Sequence, residues 1–257
     1  MVNQTLQPVQ EKGVLRGFSN LFRQESKKWW GTRRWLVQAL VWVLVTNGIL
    51  AIVIWGEGES KDTGLELFFI FMHVFLAIGI AVSSQGSIVS EKQSGTAEWV
   101  LSKPVSRTAF VFSRTLASWL AAMVVMISIP ALAAFLQITA ATGETIAIRP
   151  FLSALSLAAL HTTFYLCLTI MLGTFFNSRG PVIGVPLVVL FAPQIAGELV
   201  LKYAPWVFEL IPAAFPQMAP MVALGEPIPN YNPILATAGW CVLFILVAFW
   251  RFNREEF

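Results

Sequence analysis

Six stretches of this chain are long, apolar and free of charge, and that pattern leaves few folds open. Trp35–Trp55, Leu67–Ser90, Thr115–Gly143, Pro150–Ser178, Gly180–Gly197 and Pro227–Trp250 contain no Asp, Glu, Lys or Arg. A bilayer core of about 30 Å is crossed by roughly 20 apolar residues in a helix. Each run therefore predicts one membrane-spanning helix, and Gly and Pro are tolerated inside such spans. The runs lack the two-residue alternation of barrel strands, which argues against a β-barrel. Composition agrees: 12% of residues are charged and 56% hydrophobic, against about 25% charged in soluble domains. Too few charges remain to clothe a water-soluble globule.

The expected fold is thus an all-α polytopic membrane protein, one transmembrane unit over residues 1–257, with spans near 35–55, 66–90, 110–137, 150–177, 181–201 and 233–251. The first 34 residues are polar and basic without an early apolar core, so the first span is expected to act as its own insertion signal. Cys167 and Cys241 fall inside apolar runs and read as small hydrophobes, with no sequence support for a disulfide.

Lys and Arg accumulate in cytoplasmic loops and flanks. With the N-terminus inside, fourteen of the seventeen Lys and Arg fall on the cytoplasmic side, seven of them before the first span, and only Lys61, Arg149 and Lys202 fall outside. Both termini are expected in the cytoplasm of a cell whose inner (cytoplasmic) membrane holds the chain. The cations follow the membrane flanks and form no separate basic domain, which speaks against a nucleic-acid partner.

Ahead of the first span, residues 13–31 place Val14, Phe18, Leu21, Phe22 and Trp29 at helical spacing, with Arg16, Arg23, Lys27 and Lys28 on the other face. This predicts an amphipathic helix in the membrane interface, held by apolar burial and attraction to anionic lipid. An ordinary basic tail is the plainer alternative. Residues 202–232 carry six prolines among aromatic residues, and Pro233 follows directly. Proline at that density forbids one continuous helix, and short helices dipping into the outer interface are expected there.

The connection "SEKQSGTAEWVLSKPVSR", Ser90–Arg107, is far more polar than its flanks. Ser94-Gly95-Thr96 reads as a turn with Thr96 as N-cap, and Glu98 suits a helix N-terminus. Ala97, Val100 and Leu101 share a face, and Pro104 ends the short helix. Glu91, Lys92, Glu98, Lys103 and Arg107 around it suggest a docking knob for a cytoplasmic partner, while an interfacial helix that merely caps the bundle fits the spacing equally.

From Glu91 to Arg107 the pattern E-K-x-S-G-T-x-E-x-x-L-S-K-P-V-S-R resembles the cytoplasmic loop of ABC type-2 permeases, the membrane subunits of ATP-driven exporters. The resemblance extends to the interfacial helix, the six spans, the cytoplasmic ends and the excursion between spans five and six. It implies that loop 91–107 carries a coupling helix seated in a separate ATPase, with Glu91, Gly95, Thr96, Glu98, Leu101, Pro104 and Arg107 matching the family pattern. Trp99 departs from it and is a candidate anchor at the partner surface. No G-x-x-x-x-G-K-[ST] phosphate loop occurs, so the chain is expected to be no enzyme itself. ATP and magnesium would belong to the partner ATPase, and a second permease chain, identical or homologous, would complete the pathway.

Ionisable or strongly polar groups within spans are candidates for a substrate pathway. His73, His161, Gln194 and Glu198 are the clearest, with Asn47, Gln85 and Gln137 weaker. Each has a plainer reading as interhelical glue. Met72, His73, His161, Cys167 and Met171 suggest soft-metal chemistry only by residue type; their spacing is not that of a metal site. Two other classes stay open. An intramembrane enzyme acting on lipid or peptide would need a nucleophile with its base, or metal ligands, and no H-E-x-x-H is present. A channel or scaffold independent of any ATPase would tolerate a scrambled Thr96–Lys103.

Overall fold

The computed structural model describes residues 13–255, and all regular structure among them is helical. Lys12, counted above among the N-terminal cations, lies outside the described residues. Six helical segments are long and apolar enough to cross a membrane: Arg34–Glu57, Lys61–Gln93, Arg107–Thr142, Ile148–Phe175, Arg179–Val200 and Asn232–Asn253. Ahead of them, α1 (Phe18–Trp30) is amphipathic, and its Leu21 side packs on α6 (Arg107–Ala121). Phe18 stacks on Phe112 at 5.3 Å.

The spans run longer than the charge-free stretches suggest. The second comprises α3 (Lys61–Ser84) and α4 (Gly86–Gln93), interrupted only at Gln85. Its 33 residues extend about 50 Å, well beyond a hydrocarbon core of about 30 Å. The end of α4 therefore stands clear of the lipid, and Glu91 and Lys92, placed in the loop by their polarity, belong to the helix. Hydrophobicity marks where lipid ends, whereas the helix continues until Gly95 breaks it.

The first span is α2 (Arg34–Ala51) with a wide turn of π-helix over Ile52–Glu57. The third comprises α6, a second π-helical segment at Ala122–Ser128, and α7 (Ile129–Thr142). Pro130 lies just beyond that segment and has no N–H to give. Its carbonyl instead accepts from Asn47 Nδ2 at 3.2 Å, so buried Asn47 joins α2 to α7, a common use of a polar group within a bundle.

At the centre is α8 (Ile148–Phe175), against which α3, α11 (Phe215–Ala223) and α12 (Asn232–Asn253) pack. Phe151 of α8 contacts Phe68, Phe69 and Phe135 at centroid distances of 5.4–6.4 Å. By contrast α9 (Arg179–Tyr203) is peripheral; it contains Pro186 and Pro193 and leaves Val188, Ile195 and Leu199 exposed.

Residues 202–232 fold into short helical pieces. A short α10 (Val207–Leu210) and a 3-10 turn (Pro212–Ala214) lead into α11 (Phe215–Ala223). Of these, α11 is buried between α3 and α8, with Phe215, Met218 and Ala219 sealed from solvent. The reason is its composition: FPQMAPMVA is apolar nearly all round, and such a helix is stable only when surrounded.

Close helix approach in lipid depends on small residues, and Gly79 on α3 is the sharpest case. A Cβ there would lie 1.9 Å from the Trp42 ring of α2 and 2.8 Å from Met126. Gly79→Ala is expected to cost about 1–3 kcal/mol by overpacking. Thermal unfolding in detergent checks this, and Trp42→Leu in the same chain should restore most of the loss. An unchanged unfolding midpoint for Gly79→Ala would contradict the tight α2–α3 contact.

Candidate functional site

The polar connection folds as a projecting tip on an anchored base. At the tip, Gly95 adopts φ 68 and serves as the N-cap of α5 (Thr96–Leu101). The left-handed conformation there suits glycine. Thr96 is thus not the cap expected from sequence; it is the first helical residue, its hydroxyl 2.8 Å from that of Ser94. Glu98 lies in the first turn, favourable to the helix dipole. Trp99 is 62% exposed, and the Lys103 ammonium sits 3.4 Å from its ring centroid. Val100 turns inward and is buried; the side chains of Ala97 and Leu101 lie outside the described part of the structure. The helix stops at Leu101, before Pro104, as proline's restriction on its predecessor requires.

Ser106 closes the loop. Its Oγ accepts from Ala109 N at 3.1 Å, capping α6, and donates to the Val14 carbonyl. Its own N–H donates to Arg16 O at 3.0 Å. The loop is thereby tied to the segment entering α1.

Behind the tip, the charges expected to face a partner are engaged within the chain. Arg114 of α6 is 4% exposed at its side chain, with Nη2 lying 3.2 Å from Glu91 and 3.3 Å from Glu25. Its Nε donates to Ser87 O at 3.1 Å, and its guanidinium lies 3.7 Å from the Phe110 ring centroid. Lys28 reaches the same two carboxylates, Glu25 at 2.9 Å and Glu91 at 3.3 Å. Lys92 donates to Thr174 O of α8 and pairs with Glu255 at 2.9 Å. Arg107 donates to the carbonyls of Asn253 at 3.0 Å and of Glu255, closing the C-terminal end of α12, where a cation suits the helix dipole. Arg179 reaches Ser90 Oγ, and Gln93 reaches Asn177 O.

The connection therefore contains two sets of residues. Glu98, Trp99 and Lys103 face outward. Glu91, Lys92 and Arg107 instead lock α4 and α6 to α1, α8 and α12, which corrects the expectation that they surround the docking knob. The partners Glu25, Lys28, Arg114 and Glu255 were not among the sequence candidates. Arg114 carried a readable signal, being the only charge between Arg107 and Glu144. Glu25 and Glu255 carried none, since their importance depends on tertiary contacts.

The pathway candidates also divide. His73 of α3 and His161 of α8, distant in sequence, meet edge to face with ring centroids 4.9 Å apart. Both are at most 1% exposed. His73 Nδ1–H donates to Phe69 O at 2.7 Å, leaving its Nε2 without a hydrogen-bond partner among the described residues, while the His161 ring faces the backbone of His73 and Pro212. Phe215 of the buried α11 lies 6.0 Å from the His161 ring. No third His, Cys, Asp or Glu joins the pair in a metal-sized group among the described residues. Gln194 and Glu198 are both exposed on α9 and do not join the histidines.

Six spans around a buried α8 define a multi-pass membrane protein, and the comparison with known families sharpens this. The family described as "ABC-2 family transporter protein" matches residues 6–257. This chain belongs to that family, as the membrane-spanning permease component of an ABC transporter. No curated protein matches it.

Proposed function

We propose that this permease couples ATP hydrolysis on a separate ABC ATPase to outward movement of substrate, with α5 as the coupling helix. The observation that carries the reading is the division of the polar connection. An exposed tip of Glu98, Trp99 and Lys103 is mounted on a base, α4 and α6, whose charges are tied to α1, α8 and the end of α12. A tip that only capped the bundle has no need of such a rigid mount. Tryptophan is enriched where interfaces hold most of their binding energy, and Trp99 is the aromatic residue that α5 presents.

In this reading both termini and α5 are cytoplasmic, following the distribution of Lys and Arg. ATP and magnesium are held by the ATPase chain. Two permease chains, identical or homologous, enclose the pathway. Closure of the ATPases pushes α5, and α4 with Arg114 passes the movement to α1, α6 and the span interior.

The histidine pair supplies a readout that requires no knowledge of the substrate. These are the only two histidines in the chain, and both are sealed at rest. Diethylpyrocarbonate is expected to leave them unmodified in the resting complex and to modify at least one during ATP turnover, as the mass of the histidine peptides reports. Equal modification with and without ATP argues against a pathway that opens at this point.

A further inference from the structure

We propose that the flank of α1 is a binding site for the headgroup of an anionic phospholipid. Ser19, Phe22, Arg23, Ser26, Lys27 and Trp30 line a groove of about 520 Å³ along this helix. Arg23 and Lys27, one turn apart, both lie exposed on it and have no ion-pair partner among the described residues. The reason is internal to α1. Its sole acidic residue, Glu25, is turned to the opposite side and held by Arg114 and Lys28. Nothing on the helix can neutralise the groove, so two adjacent cations await an anion from outside.

The other groups in the groove identify the kind of anion. Ser19 and Ser26 place hydroxyls beside the cations, a donor set that suits phosphate oxygens. Phe22 and Trp30 supply apolar wall, which a free phosphate would not use and a glycerophospholipid would. Position agrees as well. Only Gly31, Thr32 and Arg33 separate α1 from the first span, and the Trp30 and Trp35 rings meet at 5.9 Å across that joint. Tryptophan settles at the headgroup layer, so the groove opens where phosphodiesters are densest. The site concerns α1 alone and is independent of whether α5 binds an ATPase.

Native mass spectrometry of the full chain in detergent, titrated with phosphatidylglycerol or phosphatidylcholine, tests this. The wild type is expected to retain one phosphatidylglycerol per chain at concentrations where phosphatidylcholine is lost. Each basic residue near an anionic lipid surface is worth a factor of about five. Arg23→Gln with Lys27→Gln should therefore weaken phosphatidylglycerol binding about 30-fold. Arg149→Gln with Lys202→Gln, which removes the same charge at the other end of the bundle, should leave it nearly unchanged. Ser26→Trp fills the groove with its charge intact and should also release the lipid, which separates a built site from diffuse attraction. Equal retention of both lipids by the wild type would overturn the proposal. So would an equal loss in both charge pairs, or full binding by Ser26→Trp. Displacement of the lipid by inorganic phosphate at matched concentration would overturn it in favour of a free-anion site.

Discussion

Arg114→Ala is expected to cost about 3–5 kcal/mol, the usual penalty for removing one partner of a buried ion pair. Arg114 is almost fully enclosed, and it stands between Glu25 and Glu91, whose side chains are themselves mostly covered. Its removal leaves two carboxylates facing each other, with only the half-exposed Lys28 between them. For a chain of this size the loss corresponds to roughly 10 °C in unfolding midpoint. Arg114→Lys keeps the charge but loses the planar fork that serves Ser87 O and the carboxylates together, so an intermediate value is expected. Combining Arg114→Ala with Glu25→Gln and Glu91→Gln should recover much of the stability, because the repulsion disappears with the charge. A midpoint within 2 °C of wild type for Arg114→Ala alone would show that the network holds nothing together.

The second large effect concerns the tip. Trp99→Ala should weaken binding of the ATPase by about 30-fold, the change produced by losing a central interface residue worth about 2 kcal/mol. Deletion of Gly95–Lys103, or Glu98→Lys, should go further and disconnect the two machines. Hydrolysis by the ATPase continues, but the ATP-dependent exposure of His73 and His161 to diethylpyrocarbonate is lost. The unfolding midpoint should change little for Glu98→Lys, since Glu98 is exposed, and should fall modestly for the deletion, which removes buried Val100 but retains the anchoring pairs of Glu91, Lys92 and Arg107. ATP-driven labelling that persists in the deletion variant would remove α5 from the coupling route.

Membrane spans are the most legible feature of such a chain, because one physical requirement, a charge-free run long enough for the bilayer, is written locally. All six are present, and the amphipathic spacing of Phe18, Leu21 and Phe22 likewise anticipates α1. What depends on packing was harder to read. The apolar, proline-rich 215–223 segment was compatible with an interface, and only the space between α3 and α8 determines that it is buried. Glu91 and Lys92 resembled solvated charges, because nothing local reveals that α4 outlasts the membrane and meets Arg114 and Glu255. Thr96 had the chemistry of a cap, yet Gly95 had the conformation. His73 and His161 appeared as isolated polar residues, since 88 positions separate them and only the α3–α8 packing brings them into contact. Local rules thus located the tip, while long-range contacts determined which of its charges were available.

The most direct test is to purify the tagged chain from its native membrane in mild detergent, identify what accompanies it, and repeat this with Thr96–Lys103 scrambled. The account predicts an ABC ATPase in stoichiometric amount with the wild type and its loss from the scrambled variant, with both permeases equally folded. An ATPase retained by the scrambled variant, or none with the wild type in any of several detergents, would contradict α5 as the seat of the motor.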